Sequence, residues 1–174
     1  MKIGIISDTH DNLENIDKVL EILEKHNVSI IYHCGDWVTL DTFSYFFKQL
    51  PVSIQVKGVF GNNEKRYSLT KSIIDAEKWP LQIEERILED VQDNLKIAVY
   101  HGTNSNLTNS LIQSQKYNLV LTGHSHRSLV KQINNTTHIN PGQVTDRSAI
   151  LTKPSIALYN TQSKKVKKIL LSDS

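Results

Sequence analysis

The chain has 174 residues and a mass of 19.8 kDa, which suits a single domain. A domain of this length can form a sufficient hydrophobic core without disulfides. Hydrophobic residues make up 39% and charged residues 22%, with only 7 glycines and 4 prolines, which excludes disordered, collagen-like and low-complexity chains. The net charge of +2 is too small to indicate a nucleic-acid or membrane-surface partner.

The sequence carries no sign of secretion or of a membrane anchor. Its one cysteine, Cys34, cannot form an internal disulfide, which fits a reducing compartment. No apolar run approaches the ~20 residues of a membrane span, and the apolar start meets a charge at Asp8 without a signal-peptide cleavage site. We therefore expect a single domain over residues 1–174, a cytoplasmic location and no membrane partner.

The first half of the sequence alternates strand and helix patterns. Short apolar runs predict three strands, at residues 3–7, 28–32 and 53–60. Apolar residues at three- and four-residue steps predict a helix over 13–23, with Asp11 or Asn12 as its N-cap, and a second over 40–50 that Pro51 ends. Strands joined by helices indicate a parallel sheet with right-handed crossovers.

The second half carries shorter patterns. Leu81, Ile83 and Ile87 share one strand parity, which Glu85 interrupts. Further strands are predicted at residues 95–100, 118–122, 129–133, 137–140, 155–159 and 165–171. Asp93-Asn94 predicts a hairpin turn, a helix is expected to begin at 104 or 105, and a turn falls at 140–142. The fold class is α/β, parallel in the N-terminal half and mixed in the C-terminal half.

Five short polar clusters each follow a predicted strand. They are Asp8-Thr9-His10, Gly35-Asp36, Gly61-Asn62-Asn63-Glu64, His101-Gly102 and Gly123-His124-Ser125-His126. The carboxyl ends of strands line the ligand crevice of α/β sheets, so these clusters are expected to converge in space.

The residue types in these clusters indicate a metal centre. Two aspartates, one asparagine amide oxygen and four imidazoles, with no thiolate, suit Mn, Fe, Zn, Co or Ni. Seven ligands are too many for one ion but fit two ions that share a bridging carboxylate, about 3.5–4 Å apart. The first four clusters alone have ordinary structural interpretations as caps or turns. Gly123-His124-Ser125-His126 is the strongest single signal, because two imidazoles two residues apart at a strand end have few structural uses. What favours the metal is that all five occur in order, each at a strand end.

The other histidines and the cysteine have structural interpretations. His26 lies near a helix C-terminus, where positive charge is favourable. His33 is expected to be a hydrogen-bonded structural residue, His138 has no partner motif, and Cys34 has no positioned base that would make it a nucleophile.

The order Asp-x-His, Gly-Asp, Gly-Asn-x-Glu, His-Gly, Gly-His-x-His resembles the calcineurin-like metallophosphoesterase superfamily. In length and in its minimal loops the chain is similar to the small bacterial and archaeal phosphodiesterases of that superfamily, whose fold a retromer scaffold subunit also uses. The resemblance runs from Met1 through the turn at 140–142 and is expected to continue to the end of the chain. It implies two mixed β-sheets packed as a sandwich and flanked by helices, with the metal site at the C-terminal ends of strands.

The resemblance also implies an active site. Its seven metal ligands would be Asp36, shared by both ions, Asp8, His10 and His126 on one ion, and Asn62, His101 and His124 on the other. The implied activity is hydrolysis of phosphodiesters by a hydroxide that bridges the two metals, with Asp36, Asn62 and Asn63 as catalytic residues. Manganese is the first expectation for the metals, and nickel, iron, cobalt and zinc stay open.

One position departs from the pattern of the superfamily. Many members have a histidine after the Gly-Asn pair, and it protonates the leaving alkoxide; here that residue is Asn63, whose amide cannot do so. General acid help is typically worth about 10²–10⁴-fold. The small phosphodiesterases also commonly lack this histidine, so we expect slow turnover that favours good leaving groups. Glu64 is expected to cap the following helix or to pair with Lys65 or Arg66.

Two arginines near the clusters, Arg127 and Arg66, are candidates for binding the substrate phosphate, although solvated surface arginines are the commoner case. The lysines at 164, 165, 167 and 168 predict a charged edge strand rather than a nucleic-acid patch. The expected partner is a small phosphodiester, with nucleic acid limited to a small cyclic or terminal phosphodiester, and a homodimer is the default oligomer.

Two alternatives to a phosphodiesterase are open. The first is a protein-interaction scaffold of the retromer-subunit type, either non-catalytic or in addition to catalysis; the presence of all seven ligand types favours an enzyme over a scaffold alone. The second is a phosphomonoesterase, but those relatives usually use the missing histidine and longer loops.

Overall fold

The computed structural model describes residues 1–64, 67–146 and 152–173, which form two β-sheets flanked by helices. The strands are β1 (Lys2–Ile6), β2 (Ile30–His33), β3 (Gln55–Val59), β4 (Leu81–Glu84), β5 (Ile87–Gln92), β6 (Leu95–Tyr100), β7 (Leu119–Leu121), β8 (Leu129–Ile133), β9 (Thr136–Asn140), β10 (Ser155–Asn160) and β11 (Lys165–Leu170).

The helices are α1 (Leu13–Lys25), α2 (Leu40–Gln49), α3 (Tyr67–Glu77), α4 (Ser105–Gln113) and a terminal 3₁₀ turn (Leu171–Asp173). Asn12 caps α1, because its side chain accepts from the Asn15 N–H, and Asn104 caps α4 in the same way through Leu107. The helix α2 ends two residues before Pro51, as expected. In the described part of the chain, no helix is long and apolar enough to span a membrane.

The six-stranded sheet has the order β11-β10-β1-β2-β3-β4, in which β1 to β4 are parallel, β10 runs antiparallel to β1, and β11 runs antiparallel to β10. Ile6 pairs with His33, and His33 pairs with Gly58. The ends of β1, β2 and β3 therefore lie at one level, and the three polar clusters that follow these strands leave the sheet side by side.

The five-stranded sheet has the order β5-β6-β7-β9-β8, with β6, β7 and β9 parallel and both edges antiparallel. Fully buried side chains from both sheets form the core between them: Ile3, Ile5 and Tyr32 from the first, and Ile97, Val99 and Leu121 from the second. The helices α1 and α2 cover the outer face of the first sheet, and α4 covers that of the second. The predicted sandwich of two mixed sheets flanked by helices is confirmed.

The apolar pattern over residues 81–87 is divided between the two sheets. The strand β4 ends at Glu84 in the first sheet, and β5 begins at Ile87 in the second. The predicted hairpin turn is confirmed, because Asp93 and Asn94 both have positive φ, at 47° and 62°, between the antiparallel strands β5 and β6. Elsewhere the predicted strand ends differ from the observed ones by two residues or fewer, as at β2, where the strand begins at Ile30 instead of residue 28.

Candidate metal centre

Backbone hydrogen bonds tie the first two polar loops together. The Asp8 N–H donates to the Gly35 carbonyl at 3.0 Å, and the His10 N–H donates to the Asp36 carbonyl at 3.1 Å. The two aspartates are therefore brought close by their own main chains before any side chain contributes.

A second group of contacts joins the loops of the two sheets. The Gly123 N–H donates to the His101 carbonyl at 2.9 Å, which links the loops after β6 and β7. The His124 N–H donates to Asp8 Oδ2 at 3.0 Å, and the Thr145 N–H donates to the Asp8 carbonyl at 3.0 Å. Asp8 thus lies where the first sheet's loops meet those of the second.

Asp8, His10 and His126 form one compact group. Asp8 Oδ1 lies 3.2 Å from His126 Nε2 and 3.9 Å from His10 Nε2. Asp8 is fully buried and His10 nearly so, while His126 is partly exposed. One potential ligand atom from each residue lies within 4.8 Å of the others, a spacing that fits one metal ion.

Asp36 lies between this group and the next. Its Oδ2 is 3.4 Å from His10 Nε2 and 3.5 Å from His101 Nε2. These imidazoles are the ones that the sequence resemblance assigns to different ions. Asp8, Asp36 and His101 form a second group whose ligand atoms lie within 4.8 Å of one another.

The ring of His101 is held in one orientation. Its Nδ1 lies 2.7 Å from the Cys34 carbonyl oxygen, which can only accept, so Nδ1 carries a proton. Nε2 then faces Asn62 Oδ1 at 3.0 Å. In the neutral imidazole both of these atoms are acceptors, an arrangement that a shared cation stabilises.

His124 completes the set from the exposed side. Its ring centroid lies 5.1 Å from that of His101, and the side chain is exposed, as is that of Asn62. The seven predicted ligands therefore gather at one place, buried on the Asp8 side and open on the side of His124.

The backbone is strained at most of these positions. Five of the seven residues have positive φ: Asp8 (55°), His10 (45°), Asp36 (61°), His124 (65°) and His126 (57°). Such conformations are costly for residues other than glycine, and they persist where the surrounding structure enforces them. Gly61 has a related role, because a Cβ there would collide with the Asp36 carboxylate.

The contacts within the cluster shift the pKa values of its side chains in different directions. Burial acts to raise the pKa of Asp36, but contacts with His101 and Asn63 outweigh it and hold that pKa well below its ordinary value. The pKa of His101 is raised, because Asp36 outweighs the effect of burial, and the Asp8 carboxylate raises the pKa of His126. Burial and the neighbouring His101 lower the pKa of His124.

The side chains present fit a divalent metal site. Asp8 Oδ1 is buried and faces the imidazoles of His126 and His10, at 3.2 and 3.9 Å. A cation held between this carboxylate oxygen and the two imidazoles would be stabilised by all three groups. The donor set of carboxylates, imidazoles and one amide is the set that borderline divalent metals take.

Asn63 and Glu64 have contacts that the sequence did not reveal. The Asn63 backbone and side-chain amides both donate to the Asp36 carboxylate. The buried carboxylate of Glu64 accepts from the Val38 N–H at 2.9 Å and from the Gly61 N–H. Glu64 therefore ties the third loop to the second. Its predicted capping of the following helix and its predicted pairing with Lys65 or Arg66 involve residues outside the described ones and stay predictions.

The remaining candidates lie around the centre. The buried His33 ring stacks on Trp37 and accepts from the Gly35 N–H through Nδ1, which is a structural role. Cys34 is fully buried, and burial raises the pKa of its thiol. Arg127 is exposed and lines a cavity of about 480 Å³ that none of the seven side chains lines, and Arg66 lies outside the described residues.

The comparisons with known proteins agree with this geometry. A family model described as the calcineurin-like phosphoesterase superfamily domain matches residues 1–164. The chain belongs to this superfamily. The metals that the superfamily implies are divalent, and the groups around Asp8 and Asp36 are the candidates to hold them.

Relatives of this phosphoesterase cover nearly its whole length. It is 32% identical to phosphodiesterase MJ0936 of Methanocaldococcus jannaschii, over 98% of this chain and 99% of that protein. The solved structure of an archaeal phosphodiesterase superposes with a TM-score of 0.85 at 32% identity, covering 98% of this chain and 99% of that one. Vps29 of Chaetomium thermophilum shares the fold, with a TM-score of 0.67 at 15% identity over 97% and 95% of the two chains.

Proposed function

We propose that this chain hydrolyses small phosphodiesters with two divalent cations held by Asp8, His10, Asp36, Asn62, His101, His124 and His126. The observation that carries the proposal is the position of Asp36 Oδ2 between His10 Nε2 and His101 Nε2, at 3.4 and 3.5 Å. A single carboxylate oxygen between two imidazoles is the geometry expected of a bridging ligand. The similarity to a phosphodiesterase over nearly the full chain supports the substrate class.

When bound, two such cations would activate water and neutralise charge on the phosphate. The residues of the chain orient the metal ligands and leave room for the substrate. The Cys34 carbonyl fixes the proton of His101 on Nδ1, so that Nε2 offers a lone pair toward the centre. The exposed side chains of Asn62 and His124 leave one side of the site accessible to a substrate.

The asparagine at position 63 is the reason to expect a low turnover rate. An amide cannot protonate a leaving alkoxide at neutral pH, so no general acid stands at this position. Turnover is expected to be slow, and esters whose leaving groups need no protonation, such as nitrophenolates, are expected to react best. No protein nucleophile is needed, so no phosphoenzyme is expected.

The test is hydrolysis of bis(p-nitrophenyl) phosphate and of p-nitrophenyl phosphate after thorough chelation, with Mn, Ni, Fe, Co and Zn added back one at a time. We expect no activity in the chelated protein, restoration with Mn foremost, and faster hydrolysis of the diester than of the monoester. Asp36→Asn is expected to abolish the restored activity, while Asp75→Asn, an exposed carboxylate on α3, serves as the matched control.

Activity that survives chelation, or an Asp36→Asn variant as active as the control, would overturn the proposal. A preference for the monoester would instead indicate a phosphomonoesterase. If none of the five metals restores hydrolysis, the result would favour the scaffold alternative over an enzyme.

A further inference from the structure

The short connection between the two sheets lies between two of the ligand loops. Glu85 and Arg86 join β4 to β5. On one side the Phe60 N–H donates to the Glu84 carbonyl at 3.0 Å, and on the other side Ile87 pairs with Tyr100. Phe60 is two residues before Asn62, and Tyr100 directly precedes His101, so the backbone fixes Arg86 between both loops.

A cavity of about 400 Å³ opens at this point. Its wall includes Asn62 and His101, together with Glu85, Arg86, Thr103 and Asn104. This volume lies within the usual range of small-molecule sites, roughly 300–1,000 Å³. The cavity therefore adjoins the metal centre through two of its seven candidate ligands.

The guanidinium of Arg86 is available to bind an anion. It is exposed, and no carboxylate of the described residues lies within ion-pair distance of it. Lys57 differs, because its ammonium lies 2.8 Å from Asp90 and is already neutralised. The cavity of Arg127 includes none of the seven candidate ligands, which makes Arg86 the better placed of the two arginines.

We propose that Arg86 binds the phosphate of the substrate diester from the Asn62–His101 side of the centre. This inference rests on the proposed function, because it assumes a phosphodiester at that site. A guanidinium presents two parallel N–H donors that match two phosphate oxygens, and it stays charged at all working pH values. The cavity then receives the alcohol substituent on the same side. No sequence motif marked Arg86, since the two-residue connection acquires its position from pairing within both sheets.

The experiment compares Arg86→Ala, Arg86→Lys and the control Lys168→Ala, an exposed lysine on the far edge strand β11. Steady-state kinetics use bis(p-nitrophenyl) phosphate at saturating Mn²⁺, with competitive inhibition by inorganic phosphate and calorimetric Mn²⁺ titration as separate readouts. A hydrogen bond to a charged group corresponds to a change of about 10- to 100-fold.

We expect Arg86→Ala to raise KM and the phosphate inhibition constant together by that factor, with kcat and Mn²⁺ affinity within about threefold of the parent. Arg86→Lys should recover part of the lost phosphate affinity, because a lysine keeps the positive charge but lacks the two parallel N–H donors of the guanidinium. Values for Arg86→Ala within twofold of the control would overturn the inference, and so would a parallel loss of Mn²⁺ affinity. If the parent protein itself does not hydrolyse the diester, it is the proposed function that fails.

Discussion

Asn63 donates to both oxygens of Asp36. Its backbone N–H lies 2.9 Å from Asp36 Oδ1, and its side-chain amide lies 2.6 Å from Asp36 Oδ2. Asn63 therefore orients the Asp36 carboxylate through two hydrogen bonds. The plane of the Asp36 carboxylate is fixed by these two contacts, and that plane decides whether Oδ2 points between His10 and His101.

Asn63→Ala removes the side-chain hydrogen bond and keeps the backbone one. Groups that orient metal ligands typically contribute about 10–100-fold to metal affinity. We expect Mn²⁺ affinity, measured by calorimetry, to fall by about tenfold. Asn106→Ala, an exposed asparagine on α4, is the control and should leave affinity unchanged. An Asn63→Ala affinity within twofold of the control would show that the side-chain contact does not orient Asp36.

Asn63→His introduces an imidazole at the position where the resemblance to the superfamily predicts a leaving-group histidine. At saturating Mn²⁺ we expect kcat to rise for diesters with poor leaving groups, by up to about 10²-fold, with little change for p-nitrophenolate. The measurement is the dependence of log kcat on the pKa of the leaving alcohol, which should become less steep. An unchanged slope, or a uniform loss across leaving groups, would contradict a leaving-group position for this side chain.

Glu64 links two loops that are 26 residues apart, through the Val38 and Gly61 backbone amides. Glu64→Gln keeps the shape of the side chain but offers only one acceptor oxygen, so one of the two part-buried N–H groups loses its partner. The expected cost is about 1–3 kcal/mol in the free energy of unfolding, measured with urea on the metal-free protein. Glu77→Gln, at the exposed end of α3, is the comparison, and equal stability of the two variants would argue against the loop-tying role.

The local features of the fold could be predicted from the sequence. The helix α1 shows apolar residues at three- and four-residue steps with an asparagine before them, and the side chain of Asn12 does cap it. Clusters such as Asp8-Thr9-His10 were predicted to lie at strand ends because an apolar run stops there. Their convergence followed from the rule that the carboxyl ends of parallel strands share one edge.

The features that the sequence did not reveal depend on tertiary pairing. The contact of Glu64 with Val38 is indicated by no spacing in the sequence. The division of residues 81–87 between two sheets depends on what covers each half. The positive φ values at Asp8 and His10 were also not predictable, because residues other than glycine adopt them only where the surroundings enforce them.

A final prediction concerns the contact between the two sheets. The Asp90 carboxylate on β5 accepts from Tyr32 Oη at 2.6 Å and lies 2.8 Å from Lys57 Nζ, both on the first sheet. Burial acts to raise the pKa of Asp90, but the contacts with Lys57 and Tyr32 outweigh it and lower that pKa. A depressed carboxyl pKa stabilises the fold above its unfolded-state value, near 4, and this contribution is lost as the pH falls through the folded-state value.

Asp90→Asn therefore should destabilise the protein most at neutral pH. We expect a loss of about 1–3 kcal/mol near pH 7, because the hydrogen-bonded charge is replaced by a neutral amide beside Lys57. The difference from the parent should narrow below about pH 4, as Asp90 itself becomes protonated. Urea unfolding of the metal-free protein at several pH values gives the measurement, with Asp75→Asn as an exposed comparison. A difference that stays constant across this pH range would mean that packing, and not the charge of Asp90, stabilises the contact between the sheets.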